Sequence, residues 1–220
     1  VPHYTLDFTD VFQKSVVDNF ADEYLAGRTP NPCVRCNSLV KWDAFVQQAD
    51  KLGAAYIATG HYAKVQHLKG SSVLKKGKDS LKDQAYVLWG IPAHTLSRTL
   101  FPLGDLTKKE VRNIARKNKF ETAEIPESME ICFVADNNYK RFLKEYIPEK
   151  MSEIGAGEIV DESGVVVGEH SGYTDYTIGQ RKGLGLSTPE PRYVSNIDPS
   201  NNQIRIGKKG SLSKNNCEVS

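Results

Sequence analysis

The chain has 220 residues, with 29 Lys and Arg against 27 Asp and Glu, a formal charge of +2. A hydrophobic content of 39% and a charged content of 25% exclude disorder as the main state and fit a folded chain of one or two domains. No apolar run reaches 18 residues, which excludes a membrane-spanning helix, and the small net charge means that any nucleic-acid binding must come from local patches.

In chain order, His3 to Phe8 alternates apolar and polar residues, as a strand does. Val11 to Ala26 carries Val16, Val17, Phe20, Tyr24 and Leu25 at helical spacing, and Gly27 ends that helix. A loop is expected over Arg28 to Asn37. Asn37 or Ser38 would then cap a helix to about Leu52, with Val40, Ala44, Phe45, Val46 and Ala49 inward and Gly53 as its stop. Ala54 to Ala58 reads as a buried parallel strand, with Thr59-Gly60-His61-Tyr62 at its carboxyl end, where open α/β sheets bind ligands. Val73 and Leu74 mark a short strand, Ala85 to Trp89 a helical run, and Thr107 with Glu110 a capping box opening a helix that fades by Phe120. Ile131 to Val134 reads as a strand, and Asn138 to Tyr146 as a helix stopped by Pro148.

After about Glu149 the texture changes. Ten of the 17 glycines lie from Gly155 onward, among short β-branched runs such as EIVD, VVVGEH, YTIGQ, RYVSNID and QIRIG. The expected architecture is an α/β domain followed by a small β-rich one. The chain opens at Val1 inside a strand-like run and closes on NNCEVS just after another, so it is expected to be part of a longer protein. VPHYTLDF has neither the basic start nor the long apolar stretch of a secretory signal.

Four cysteines, Cys33, Cys36, Cys132 and Cys217, are too few for a disulfide framework and point to a reducing, cytoplasmic setting. Cys33-Val34-Arg35-Cys36 is a CxxC with several readings. A structural zinc site needs a second close pair, which Cys132 and Cys217 do not form; a redox motif belongs at a helix start after a strand, whereas this pair follows two prolines; inert loop thiols are the third reading. Cys132, between Ile131 and Phe133, reads on its own first as an inert buried thiol and second as a reactive one. His61 suits contact with phosphate or a base edge, or a structural role. Lys64, Lys69, Lys75, Lys76, Lys78 and Lys82, with only Asp79 between them, form a basic stretch able to meet a phosphate backbone. No GxxxxGK[ST] or GxGxxG loop is present, since Gly183-Leu184-Gly185 lacks the third glycine and a following helix.

Six runs then coincide in order: Gly27-Arg28-Thr29-Pro30-Asn31-Pro32-Cys33-Val34-Arg35-Cys36-Asn37, Ala58-Thr59-Gly60-His61-Tyr62-Ala63, Lys82-Asp83-Gln84-Ala85-Tyr86, Phe101-Pro102-Leu103-Gly104, Glu130-Ile131-Cys132-Phe133 and Tyr176 to Gly185 (YTIGQRKGLG). Together they resemble the signature segments of the tRNA-specific 2-thiouridylase family (MnmA/TrmU). The resemblance implies a Rossmann-like, PP-loop ATPase-type domain over 1–135, a β-rich tRNA-binding domain over 136–205, and the start of a C-terminal β-barrel over 206–220. It implies that the family's SGGxDS phosphate loop lies upstream of Val1.

The implied reaction replaces O2 of the wobble uridine by sulfur. ATP, with Mg2+, adenylates the base, and a cysteine persulfide loaded by a sulfur-donor protein delivers sulfur as AMP leaves. By position, Cys132 resembles the persulfide-bearing cysteine and Cys36 the second catalytic cysteine. Cys33 stands where many members carry an acid/base Asp. Gly60 resembles an ATP contact, Asn31-Pro32-Cys33 a target-base loop, and His61 with Lys82, Asp83 and Gln84 tRNA contacts. Partners would be Lys-, Glu- and Gln-type tRNAs, whose wobble base must leave its stack to be edited. Two other classes remain open: a non-catalytic RNA-binding remnant without ATP activation, and a protein in which Cys33, Cys36 and Cys132 ligate a metal or iron–sulfur cluster.

Overall fold

The computed structural model describes residues 2–125 and 131–213, so Glu130, Cys217 and the end of the expected barrel segment lie outside the described residues. The chain divides into two compact units, one of residues 1–18 and 31–131 and the other of residues 19–30 and 132–220. The fold class is α/β followed by a β-rich region, as the sequence predicts.

In the first unit, residues 2–8 form no strand, because alternation alone makes none without a partner edge. Helix α1 covers residues 9–17, and α2 (Asp18–Leu25) continues the helical run into the second unit's residues. Helix α3 covers residues 32–51, six residues longer at its start than expected. Pro32 stands at its first turn and the Asn31 side chain accepts the Val34 N–H at 3.3 Å, so the cap is Asn31 rather than Asn37 or Ser38. Gly53, at φ +69°, ends it as predicted.

The expected strand over 54–58 shortens to β1 (Ile57–Ala58). It is followed by the hairpin β2 (Ala63–Leu68) and β3 (Ser71–Lys76), then α4 (Ala93–Leu96) and β4 (Thr99–Leu100), which pairs with β1 in parallel. Only the Val73–Leu74 arm of the hairpin was legible. Helix α5 (Lys108–Lys117) begins with the predicted box: Thr107 Oγ1 accepts the Glu110 N–H and the Glu110 carboxylate accepts the Thr107 N–H. The core of this unit gathers Trp42, Ala49, Ile57, Ala63, Leu88, Ile91 and Leu96.

The second unit holds α2, α6 (Tyr139–Tyr146) and α7 (Pro148–Ile154). Pro148 starts α7 as well as stopping α6, since a proline is tolerated in a first helical turn. Four strands, β5 (Gly157–Val160), β6 (Val166–His170), β7 (Tyr193–Asp198) and β8 (Gln203–Gly207), lie in the order β6-β5-β8-β7, with β5 and β8 parallel and the other pairs antiparallel. YTIGQ is a turn rather than a strand. Ile159, Val194, Ile204, Ile206, Tyr173 and Leu184 form its core. One corner is locked by His170: its Nδ1 accepts the Gly172 N–H at 3.1 Å while Nε2 lies 3.1 Å from the Asn202 carbonyl, as a donor. Both ring nitrogens are thereby used by one neutral tautomer, and burial lowers the ring's pKa.

Two glycines sit hardest against main-chain oxygens. A Cβ at Gly104 would run into the Ala63 carbonyl oxygen, and one at Gly157 into the Asn202 carbonyl oxygen. Both obstacles are backbone, which cannot swing aside. Gly104→Ala and Gly157→Ala are each expected to lower stability by about 3 kcal/mol in urea unfolding, the upper range for overpacking, whereas Gly70→Ala meets no atom within 4 Å and carries only the strain of its φ of +81°.

Candidate functional site

Helix α3 places the CxxC. Cys33 is exposed and Cys36 half-buried, both in the helix's first two turns, so the pair opens a helix where a loop was expected. From Cys36 to Ala44 the backbone widens into π-type turns, a rare form that adds a residue per turn and is frequent near functional groups. Pro32 is buried and Asn31 exposed, so the Asn31 side chain acts as the cap while its residue stays open to solvent. Arg35 Nε donates to the Ser15 carbonyl at 3.3 Å, tying this turn to α1.

The next residue, Asn37, is buried at 3% exposure. Its Nδ2 donates to the Val87 carbonyl at 3.0 Å, while its Oδ1 is buried and accepts no hydrogen bond among the described residues. A buried acceptor left unsatisfied beside Cys36 costs stability of order 1–3 kcal/mol unless a donor reaches it. Gly90 comes so close to Ser38 that any Cβ there would strike the hydroxyl, so the segment after Tyr86 presses directly on the cysteine-bearing turns.

Trp42, two turns further along α3, carries the helix onto the strand pair. Its indole N–H donates to Thr99 Oγ1 at 3.0 Å, and that hydroxyl donates to the Thr95 carbonyl at 2.9 Å. The indole also packs against His61 at 5.5 Å between ring centroids, and Phe101 against both. His61 therefore sits at the carboxyl end of β1, as the sequence predicts, but half-buried in an aromatic cage. Its Nδ1 lies 2.8 Å from Thr59 Oγ1, and burial, with Lys41 nearby, depresses its pKa to about 4. At neutral pH it is an uncharged hydrogen-bonding group. Gly60 beside it is exposed, and a Cβ there would meet only Leu103, at 3.7 Å, so a ligand edge can approach its backbone.

Lys82, Asp83 and Gln84 lie at the base of the β2–β3 hairpin. Asp83 accepts the Gly77 N–H at 2.7 Å. Gln84 brackets Tyr62: its Oε1 accepts the Tyr62 N–H and its own N–H donates to the Tyr62 carbonyl, both at 2.9 Å. The two side chains thus hold backbone, fixing the hairpin next to His61. On that hairpin Lys64 and Lys75 are cross-strand partners, and Lys64 pairs with Asp105 while Lys78 pairs with Glu110.

Cys132 belongs to the second unit. It is exposed and lies in a turn, where a strand was expected, so the reading of an inert buried thiol does not hold. The turn follows from its neighbour: Phe133 points into an aromatic cluster with Phe20 (5.2 Å, edge-on) and Phe142 (5.3 Å), and Asn137 takes a left-handed φ of +59° to bring the chain into α6. Nearby, Tyr24 and Tyr139 stack at 4.7 Å, and burial pushes the Tyr24 phenol up to about 12. Among the described residues no group of three or more His, Cys, Asp and Glu could hold a metal ion, and no helix is long and apolar enough to cross a membrane.

Sequence reading missed Trp42 and the Thr99 hydroxyl as the parts that hold His61. The signal was there for Trp42, which shares the helical i, i+4, i+7 face of Val46 and Ala49. For His61 the pH dependence follows from its depressed pKa. Between about pH 4 and 6.5 the unfolded chain binds a proton that the folded chain does not, so stability rises with pH across that window and is lost on acidification. His61→Gln is expected to flatten this slope in urea titrations at pH 4.5, 5.5 and 7; an unchanged slope would show that the ring titrates normally.

The sequence model of the family described as tRNA methyl transferase HUP domain matches residues 1–136, and that described as tRNA methyl transferase PRC-barrel domain matches residues 140–208. The chain is 49% identical over 211 residues to the tRNA-specific 2-thiouridylase MnmA of Chlorobium phaeobacteroides, covering 96% of this chain and 59% of that protein. It is 48% identical over 219 residues to the protein of that name from Amoebophilus asiaticus (99% and 58% covered), and 49% identical over 214 residues to that from Carboxydothermus hydrogenoformans (96% and 58%). The chain spans a little under three-fifths of the length of these curated relatives.

Proposed function

This chain belongs to the tRNA methyl transferase HUP-domain family, and from that premise we propose that it is part of a tRNA 2-thiouridylase, an enzyme that replaces O2 of the wobble uridine by sulfur. The observation that carries this reading is near-half identity, over 96% or more of the chain, to relatives named tRNA-specific 2-thiouridylase. In it, residues 1–135 are the nucleotide-binding domain's portion, 136–205 a central tRNA-binding domain and 206–220 the start of a barrel.

Each side chain then has a task. Cys132, exposed on its turn, carries the sulfane sulfur as a persulfide received from a donor protein. Its terminal sulfur attacks C2 of the activated uridine, expelling AMP and forming a C2–S–S–Cys132 link. The Cys36 thiolate attacks the Cys132 sulfur, so that a Cys36–Cys132 disulfide forms and the 2-thiouridine leaves with its electron pair. Cys33 serves as acid/base or as an auxiliary thiol, and the Asn31-Pro32-Cys33 segment meets the target base. Neutral His61 offers a hydrogen bond to the RNA, and Lys82 a charge, from a base that Asp83 and Gln84 hold in place.

ATP supplies the AMP leaving group. The residues present fit one edge of it, at exposed Gly60; the 220 residues contain no SGGxDS run to hold its phosphates. For Mg2+ no cluster of three or more His, Cys, Asp and Glu among the described residues fits. The tRNAs would be of the Lys, Glu and Gln types and the setting cytoplasmic.

The test is thiolation of a tRNA transcript by the intact protein with ATP and a persulfide source, read by mercury-gel retardation. Cys132→Ser and Cys36→Ser are each expected to reduce 2-thiouridine at least ~10²-fold, as loss of a covalent nucleophile does. Full activity in Cys132→Ser would overturn the assignment, and no thiolation by the wild type would overturn the reading itself.

A further inference from the structure

We propose that the loop of residues 179–192 in the β-rich unit is a phosphodiester-binding site for RNA, a proposal that rests on the tRNA reading above for the nature of its polymer. The loop is built before any ligand arrives. Gln180 clamps it: its Oε1 accepts the Thr177 N–H at 3.1 Å and its Nε2 donates to the Lys182 carbonyl at 2.9 Å. Two backbone bonds fasten the same point to β7, from Gly179 N–H to the Val194 carbonyl at 2.8 Å and from Val194 N–H to the Gln180 carbonyl at 2.9 Å. Leu184 is buried in the β core and Leu186 packs against it, so the loop is anchored from below on alternate residues.

What faces outward is cationic. Arg181 and Lys182 are both exposed, and among the described residues neither makes an ion pair. Arg181 borders a cleft of about 650 Å³ that Gly183, Gly185, Ser187, Thr188, Glu190 and Arg192 also line, and Lys182 is its exposed neighbour in the chain. Gly179, Gly183 and Gly185 take φ values of +86°, +76° and +68°, the left-handed backbone that glycine adopts without a side-chain clash and that keeps the loop's surface low enough for close approach. The acids in reach are already engaged: Glu162 lies 3.6 Å from Arg192, and Glu190 2.8 Å from Lys208. A side chain that merely finished a turn would not need two adjacent unpaired cations on a clamped loop. A phosphate backbone uses that arrangement: Arg and Lys for charge, hydroxyls and N–H groups for the remaining oxygens.

The experiment is binding of a fluorescent tRNA transcript to the intact protein across a salt series, comparing wild type with Arg181→Ala/Lys182→Ala; melting temperature and circular dichroism verify the fold. The double variant is expected to bind about tenfold more weakly at low salt and to lose about 1.5–2 from the slope of log K against log salt, the share of two phosphate contacts. An unchanged slope would overturn the site. Inorganic phosphate alone distinguishes the source: if it displaces the transcript at low millimolar concentration through this loop, the site takes free phosphate and the polymer assignment falls. Polyglutamate competing as well as RNA would likewise overturn it in favour of a general cation patch. Failure of this site and failure of the thiolation reading are separable. A wild type that thiolates while the double variant keeps its full slope removes only the site. A wild type that binds the transcript with the expected slope difference but makes no 2-thiouridine removes only the enzyme reading.

Discussion

One buried hydrogen bond, from the Trp42 indole to the Thr99 hydroxyl, ties the cysteine-bearing helix to the strand pair of the first unit. Its net worth is about 1 kcal/mol, but its geometric reach is larger. The same indole forms a wall of the His61 cage, and the same hydroxyl passes a hydrogen bond on to the turn of α4. Because α3 is one rod from Pro32 to Lys51, fixing Trp42 also fixes the angle at which the CxxC leaves the core. Arg98 repeats the tie at the far end of the rod, donating to Asp50 and to the Ala54 carbonyl, both at 2.5 Å.

The elements that could be read from the sequence were those whose signal is local. The Thr107 box, the Gly53 stop and the helix start near Asn138 are decided within four residues, and they stand where the sequence puts them. The failures share a cause too. A strand exists only if a partner edge is supplied, and residues 2–8 and 131–134 have none among the described residues, so apolar alternation there means something else. At 131–134 it means that Phe133 goes inward while Cys132 stays out. The start of α3 failed for a different reason: two prolines look like a loop, yet one of them sits in the single helical turn that tolerates proline.

The candidate site was legible as a set of residues and illegible as an arrangement. The family resemblance picks out Gly60, His61 and the Lys82-Asp83-Gln84 run by position in the chain. It does not say that the histidine is held uncharged by burial, nor that Asp83 and Gln84 face backbone, because such facts depend on hydrogen bonds across 6 and 22 residues. The β-rich unit repeats the pattern at Gln180 and at His170, where polar side chains saturate main-chain groups and so decide loop shape.

The bonds made by Asp83 and Gln84 have an evolutionary consequence. A polar residue that faces RNA can drift when the RNA partner changes, since its reward comes from outside the fold. A polar residue that completes the chain's own main-chain hydrogen bonds is under selection in every cell that must fold the protein, whatever it binds. Invariance of such a run among related chains would therefore record foldability as much as recognition. At Asp83 and Gln84, sameness across related chains would therefore not by itself mark an RNA contact.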